Sequence, residues 1–161
     1  MVLLVCLLLV SSCVTTRVRK AGLPLERETY IDTVYNEGDF RLAEKGKPAT
    51  IYVDSADWPG VIRAAGDFAA DINRVTGITP KITNSEKDLA KNTVIIGTIG
   101  KSPLINRLIK ESKIDVKQVK GRWESTVTTI LAKPVTGVDN ALVIAGSDKR
   151  GTIYGLSLIH I

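Results

Sequence analysis

The sequence predicts an α/β fold, a single small domain in which a mixed β-sheet is packed by helices. Short β-branched or contiguous apolar runs alternate along the chain with amphipathic stretches of helical period. Such alternation is typical of α/β domains. The 161 residues, 44% hydrophobic and 24% charged, give room for one globular domain plus a leader.

The first strand and helix of the domain are predicted between residues 50 and 77. Thr50–Asp54 is a β-branched and aromatic run, which indicates a strand. A helical pattern follows from about Pro59 to Val75, with Pro59 suited to its first turn and Gly77 to a left-handed C-terminal cap. One face of this helix should be buried. Its members are Val61, Ala65, Phe68, Ala69, Ile72 and Val75.

The middle of the chain predicts two strands and a short helix. Pro80–Thr83 has the composition of a strand, and Thr93–Gly97 has contiguous apolar residues. A strand without alternation is buried on both faces, so we expect Thr93–Gly97 at the centre of the sheet. Helical spacing then predicts a helix over 102–110, with an apolar face formed by Leu104, Ile105, Leu108 and Ile109.

Two further strands and a last helix are predicted towards the C-terminus. Glu124–Ala132 alternates, with a solvated face that includes Thr126, Thr128 and Ile130. Ala141–Gly146 repeats the buried-strand pattern and runs into Ser147-Asp148, either of which suits the N-cap of a helix. The alternation therefore predicts a domain of two or three layers.

The first thirteen residues predict an export signal. The apolar run Val2–Val10 is too short to span a bilayer but has the length of a signal-peptide core. Val10–Cys13 resembles a bacterial lipobox, which predicts removal of residues 1–12 and a lipid on Cys13; the alternative is a plain signal peptide with an incidental cysteine. Residues 13–38 suit a tether. We therefore expect attachment to a membrane of the cell envelope, periplasmic or outer.

The charge pattern argues against a nucleic-acid partner. The formal net charge is +5, but the basic residues form only small clusters and acidic residues are interspersed among them. Nucleic-acid-binding proteins usually concentrate Lys and Arg on one face, and single-strand binders add exposed aromatic rings. Aromatic residues make up only 5% of this chain. We expect a solvated basic surface and no nucleic acid.

The turn Gly97–Ser102 resembles a phosphate-binding loop, because it follows a buried strand and ends in Gly-Lys-Ser. A Walker A loop requires a glycine five positions before Gly100, where this chain has Ile95. We therefore expect a tight strand-to-helix turn in which two glycines supply unusual backbone angles. No cofactor is predicted.

Catalytic and metal-binding residues are not evident. Glycosidase chemistry requires two carboxylates facing each other across a bond, whereas the acidic residues here are scattered over turns, caps and strand starts: Asp54, Asp57, Asp71, Glu124, Asp139 and Asp148. The single histidine, His160, lies in the C-terminal tail. With one histidine and one cysteine after cleavage, no metal site is predicted.

Two short segments are candidate sugar contacts. Arg122–Ser125 contains Trp123, whose indole would stack on a pyranose if it were exposed, but large aromatics are mostly buried and burial is the favoured interpretation. Ser147–Gly151 carries two cations that would suit a substrate carboxylate. A helix-entry turn with solvated charges is the favoured interpretation there.

Four segments together resemble glycoside hydrolase family 115: Ala64–Gly77, Val94–Thr98, Gly121–Glu124 and Ala145–Gly155. The resemblance extends from about Phe40 to Gly155, and its first segments are shared with the accessory α/β domains that precede the barrels of β-hexosaminidases and other α-glucuronidases. It implies an inverting enzyme that removes glucuronic acid or its 4-O-methyl ether from α-1,2 linkages on xylan. In that family the acid and base lie on a following barrel, so no catalytic residue is assigned here.

The resemblance implies a domain at 39–155 that is part of a longer enzyme. Residues 156–161 resemble translated sequencing adapter, and we expect them to be non-native. Glucuronoxylan or a related acidic polysaccharide would then be bound through domains that follow. Two alternatives stay open: a stand-alone lipoprotein glycan-binding module, and the corresponding domain of a β-hexosaminidase-like enzyme. Truncation of the last helix would expose part of the sheet, so we expect marginal stability.

Overall fold

A computed structural model describes residues 34–158 of the protein. The predicted signal peptide, Cys13, most of the predicted tether and His160 lie outside the described residues. The described elements are, in chain order, β1 (Ala43–Glu44), β2 (Lys47–Pro48), β3 (Thr50–Val53), α1 (Pro59–Thr76), β4 (Ile82–Thr83), a 3₁₀ turn (Glu86–Asp88), β5 (Asn92–Thr98), α2 (Pro103–Lys110), β6 (Thr126–Ala132), β7 (Asn140–Gly146) and α3 (Lys149–Ser157).

The main sheet is mixed, as predicted, with strand order β4-β3-β5-β7-β6. β5 is central and runs parallel to both neighbours, so that Ile95 pairs with Tyr52 on one side and Val143 on the other. β6 is an antiparallel edge strand beside β7. Its exposed residues Thr128 and Ile130 form the expected solvated face. A separate two-stranded hairpin, β1-β2, was not predicted from the sequence.

The helices cover both faces of the sheet and give three layers. α1 and α3 share one apolar cluster with β3, β5 and β7, in which Phe68, Ile144 and Leu156 are buried. α2 packs on the opposite face, where Leu104 and Leu108 belong to a second cluster. Among residues 34–158, no helix combines the length and apolar character needed to cross a membrane. The α/β class and its packed mixed sheet are confirmed.

The ends of α1 follow the sequence signals closely. Pro59 is its first residue, and Gly77 adopts a left-handed φ of 74° while its N–H donates to the Asn73 carbonyl at 2.7 Å. The predicted buried face is confirmed except at Val75, which is 61% exposed. Burial of Val75 was wrong because the edge strand packed against α1, β4, has only two residues and leaves the last helical turn uncovered.

Helix α3 covers the sheet face shared with α1. It continues to Ser157, and Leu156 is buried in the cluster that contains Ile144. The expected capping of this helix is confirmed, because the Asp148 carboxylate accepts from the Gly151 N–H at 2.8 Å. The expectation of marginal stability stays a prediction.

Candidate functional site

Three strand-to-helix connections meet at one end of the sheet, where the parallel strands finish; we call this side of the sheet its carboxyl edge. β3, β5 and β7 are parallel, so the turns that follow them, leading into α1, α2 and α3, lie side by side. β6 is antiparallel, so the segment before it reaches the same edge. The chain leaves β3 towards one face of the sheet, into α1, and leaves the neighbouring β5 towards the other face, into α2. A crevice opens between these two connections. In open α/β sheets, ligands bind at such points.

A cleft of about 500 Å³ occupies this position, and we call it the carboxyl-end cleft. It falls within the ~300–1,000 Å³ typical of small-ligand sites. Both tryptophans of the chain and three cationic residues line it. Its lining is Trp58, Thr98, Ile99, Gly100, Lys101, Trp123, Ser147, Asp148, Lys149 and Arg150.

One wall of the carboxyl-end cleft is formed by Trp58 and Lys101. Trp58 is the N-cap residue of α1, and it is 40% exposed. The Lys101 ammonium lies 4.3 Å from the centre of its ring, in a cation–π contact between the turn after β3 and the turn after β5. The contact gives the lysine a preferred position beside the cleft.

The opposite wall contains Trp123, which is 82% exposed. The favoured interpretation from the sequence, a buried tryptophan, was wrong. Its segment, Gly121–Ser125, lies at the edge where the sheet ends, and Ser125 turns its backbone towards β7 and leaves the indole outside. The Ser125 N–H donates to the Ser147 hydroxyl at 3.1 Å, and the Ser147 N–H donates to the Ser125 carbonyl at 2.8 Å.

Asp148 joins the Trp123 segment to the start of α3. One of its carboxylate oxygens accepts from the Gly151 N–H, and the other accepts from the Glu124 N–H at 2.9 Å. The bond from Gly151 lowers the pKa of Asp148 most, and the bond from Glu124 lowers it further. Glu124 itself has a left-handed φ of 53°, which is uncommon for a non-glycine residue, and its side chain pairs with Arg150 at 2.9 Å. The exposed tryptophan is thus held by a specific network.

Thr98, which lines the cleft, belongs to a buried polar cluster centred on Asp57, only 4% exposed. Its carboxylate accepts from the Thr98 N–H at 2.7 Å, the Thr98 hydroxyl at 2.8 Å and the Trp58 N–H at 2.7 Å. The Thr98 and Thr152 hydroxyls lie 2.9 Å apart. The cluster joins the starts of α1 and α3 to the end of β5, which fixes the positions of the three turns.

Two glycines permit close packing around the cleft. A Cβ on Gly97 would lie 2.6 Å from Ser102 Cβ, and a Cβ on Gly151 would overlap the Ser125 carbonyl oxygen. The tight turn after β5 is confirmed, and Gly100 has the unusual backbone angle expected of it, with φ of 85°. Gly97 is required for a different reason from the one predicted, since its φ is not positive and only the approach of Ser102 excludes a side chain.

Most of the scattered acidic residues have local partners away from the cleft lining. Asp54 accepts from the Tyr52 hydroxyl at 3.0 Å, Asp71 pairs with Arg74, and Asp139 pairs with Lys91 at 3.7 Å. Asp148 alone among them lines the carboxyl-end cleft. Within residues 34–158, no group of three His, Cys, Asp or Glu side chains is placed to hold a metal ion.

Fold and cleft together define a class: a three-layer α/β domain with a mostly parallel sheet and a binding crevice at its carboxyl ends. Among solved structures, the chain is similar to a family 115 4-O-methyl-α-glucuronidase with specificity for decorated arabinogalactans, at 30% sequence identity and a TM-score of 0.51. The alignment covers 71% of this chain and 13% of that enzyme. The chain is therefore a glycoside-hydrolase-related domain in fold. Comparison with protein-family models and with curated proteins gave no match.

Proposed function

We propose that this chain is the non-catalytic N-terminal domain of a secreted glycoside hydrolase of family 115, an α-glucuronidase. The observation that carries the proposal is the structural likeness, which extends over 71% of the chain at 30% identity. The neighbour is named for 4-O-methyl-α-glucuronidase activity on decorated arabinogalactans. The proposed substrate here is glucuronoxylan or another polysaccharide that carries (4-O-methyl)glucuronic acid.

We assign catalysis to a barrel domain that would follow this one in the full-length enzyme. Inverting hydrolysis requires an acid and a base about 6.5–9.5 Å apart, with both carboxylates facing the substrate. The carboxyl-end cleft contains one carboxylate, Asp148, and both of its oxygens already accept backbone N–H groups. The role that fits this domain is support or substrate contact.

The test has two parts. Genomic sequence beyond the codon for Gly155 should continue into a barrel, and the protein encoded by that continuous gene should release 4-O-methylglucuronic acid from glucuronoxylan or arabinogalactan. The 161-residue chain should release none. A gene that stops without a barrel would contradict the proposal, as would a full-length protein that releases N-acetylhexosamine and no uronic acid.

We also propose that Cys13 carries a lipid that attaches the protein to a membrane of the cell envelope. The support is the apolar run followed by Val10–Cys13. Cells that express the protein and are fed an alkyne-tagged fatty acid should label it, and Cys13→Ser should remove the label. Cys6→Ser is the matched control, because Cys6 lies inside the segment to be removed. Label that persists in Cys13→Ser would contradict the anchor.

A binding role for the domain itself is favoured by one observation, the exposure of Trp123 beside the cleft. A stand-alone glycan-binding module would use the same surface as an accessory domain of an enzyme. The two are distinguished by the genomic sequence, whereas the binding itself is testable on this chain.

A further inference from the structure

We propose that the carboxyl-end cleft binds a uronic acid residue of a glycan, with the Trp123 indole against the sugar ring and Lys101 and Lys149 beside its carboxylate. The proposed function by itself leaves this cleft without a ligand. The choice of a uronic acid rests on the proposed function, while the position of the site rests on the cleft alone.

The aromatic part of the site is Trp123. A large ring left 82% exposed forgoes the stabilisation that burial gives, so the fold gains nothing from it. The chain nevertheless holds the adjoining Glu124 at a left-handed φ and fixes the segment through Asp148 and Ser147. Backbone strain that surrounding bonds maintain is concentrated at ligand sites. An exposed indole offers an apolar face to the C–H groups of a pyranose.

The charged part of the site is formed by Lys101 and Lys149. Among residues 34–158 neither forms an ion pair, whereas the third cation of the lining, Arg150, pairs with Glu124. The single carboxylate of the lining, Asp148, accepts two backbone N–H groups. The cleft therefore has positive charge that its own residues do not neutralise, and a ligand carboxylate would complete it.

A phosphate is a poorer fit than a carboxylate. Phosphate-binding turns present free backbone N–H groups to the anion. Here those groups are already bonded within the turn after β5: Thr98 N–H to Asp57, Ile99 N–H to Gly146, Gly100 N–H to Asn106, and Lys101 and Ser102 N–H to Thr98. Recognition of an anion is left to flexible lysine side chains, which suits a singly charged group on a sugar.

A protein partner is also a poorer fit. The centres of protein interfaces are enriched in tryptophan and arginine but are depleted in lysine and more apolar than the rest of the surface, so the two lysines of the lining count against such a partner. The carboxyl-end cleft instead combines two tryptophans with two lysines and an arginine, next to the buried cluster in which Asp57 accepts from Thr98. A concave and mixed aromatic–cationic surface matches an acidic sugar.

Intrinsic fluorescence of the full 161-residue chain, purified in mild detergent, tests the site directly. Both tryptophans of the chain line the cleft, so their emission is sensitive to binding there. The probe is an aldotetraouronic acid with a terminal α-1,2-linked 4-O-methylglucuronic acid. We expect saturable change at micromolar to low millimolar concentration, and binding of neutral xylotetraose at least about tenfold weaker.

Three variants separate the parts of the site. Trp123→Ala should weaken binding of the acidic probe by at least about tenfold, measured by calorimetry because a fluorophore is lost. Lys101→Met keeps the length of the side chain and should weaken the acidic probe several-fold, with no change for the neutral one. Val75→Ala, at the far end of α1, is the exposed apolar control and should bind like wild type.

Three results would overturn the inference. The first is no fluorescence or calorimetric response to the acidic probe up to about 10 mM, the limit of weak binding. The second is equal binding of the acidic and neutral probes with no effect of Lys101→Met. The third is protection of Trp123 from oxidation by N-bromosuccinimide in the full-length parent without glycan, which would show that protein covers the cleft. Uronic acid release by the parent is measured separately, so failure of the site leaves the proposed function standing.

Discussion

The two edges of the sheet carry cavities of opposite character. The carboxyl-end cleft has about 500 Å³, two tryptophans and three cations beside one carboxylate. The amino-end groove, at the other edge, is larger, at about 860 Å³, and no aromatic residue is among those that line it. Its lining is Glu86, Lys87, Leu89, Arg107, Glu111, Lys113, Lys133, Pro134, Val135, Thr136, Gly137, Val138 and Asp139.

The two cavities also differ in the balance of charged side chains that line them. In the amino-end groove, Arg107 pairs with Glu86 at 2.5 Å and Lys113 with Glu111 at 2.8 Å. The first of these contacts raises the pKa of Arg107 and the second lowers the pKa of Glu111. In the carboxyl-end cleft, Lys101 lies over the Trp58 ring. Lys87 and Lys133 of the groove also form no ion pair among residues 34–158, so the two edges differ instead in their aromatic rings and in the surplus of cations, three beside one carboxylate in the cleft and four beside three in the groove.

If the edges differ in this way, the buried Asp57 cluster next to the cleft should contribute most to the free energy of unfolding. Asp57→Ala would leave three donors without their buried acceptor, from Trp58 and Thr98, and should cost about 3–5 kcal/mol of unfolding free energy. Urea denaturation followed by circular dichroism measures it. Asp139→Ala at the groove, with its exposed side chain, is the control and should cost less than about 1 kcal/mol. Equal losses would show that the two edges are alike.

The rim of the cleft is tested by packing. Gly151→Ala places a methyl group where the Ser125 carbonyl oxygen lies, so the Trp123 segment must shift, at about 1–3 kcal/mol. Gly66→Ala is the matched control, because nothing lies within 4 Å of the added Cβ in mid-helix, and it should stabilise by about 0.5–1 kcal/mol. Thermal unfolding should therefore move in opposite directions. A neutral Gly151→Ala would mean that the segment is not held as described.

Acidification should weaken the bonds by which Asp148 holds the Trp123 segment. The pKa of Asp148 is lowered in the folded protein by N–H groups of Gly151 and Glu124. The carboxylate therefore contributes stability that is present above its unfolded pKa, near ~4, and is lost as pH falls through the lower folded value. Asp148→Asn keeps one acceptor oxygen and loses the other, so it should cost about 1 kcal/mol at neutral pH, and its denaturation curve should approach that of wild type below about pH 3. A constant difference across this window would contradict the cause given for the shift.

The smallest changes in unfolding free energy are expected for charged side chains at the surface, one at each edge. Arg107→Gln removes a partly exposed ion pair with Glu86, worth about 0.2–1 kcal/mol after allowance for solvent screening. Lys101→Gln loses no ion pair but removes the cation–π contact with Trp58, worth about 0.5–1 kcal/mol at an exposed site, so its cost should stay within that range. The free energy of unfolding is measured by urea titration at low ionic strength, because guanidinium and high salt would screen the ion pair. If Lys101→Gln cost clearly more than about 1 kcal/mol, Lys101 would have a larger structural role than the cation–π contact accounts for.

Much of the fold was predictable from local patterns. The contiguous apolar run of β5 indicated a central strand, and Pro59 and Gly77 marked the ends of α1, since each signal depends on residues close in sequence. The cap at Asp148 was predictable for the same reason. The hairpin β1-β2 was not, because its four strand residues are too few for a periodic pattern.

The site was less predictable than the fold. The sequence indicates Ser147–Gly151 as a source of two cations. The structure places this segment at the cleft together with Trp123, and the spacing of the two segments in the sequence does not predict that they meet. The partnership of Trp58 with Lys101 joins residues 43 positions apart, and that of Asp57 with Thr98 joins residues 41 apart. Such contacts arise from strand order, which a single sequence does not state. The predicted burial of Trp123 was wrong because its segment is bonded to the end of β7 through the Ser125 backbone, which leaves the ring outside the core.

The reversed direction of β6 has an evolutionary consequence. In a purely parallel sheet, every segment at the carboxyl edge belongs to a strand–helix unit, and a change in it disturbs the helix that follows. Because β6 runs the other way, the Trp123 segment enters the cleft from outside those units. Its backbone is tied to β7 and α3 by the bonds of Glu124 and Ser125 to Asp148 and Ser147. A change in the Trp123 side chain that keeps these backbone bonds would alter the proposed ligand contacts and leave the strand–helix units in place.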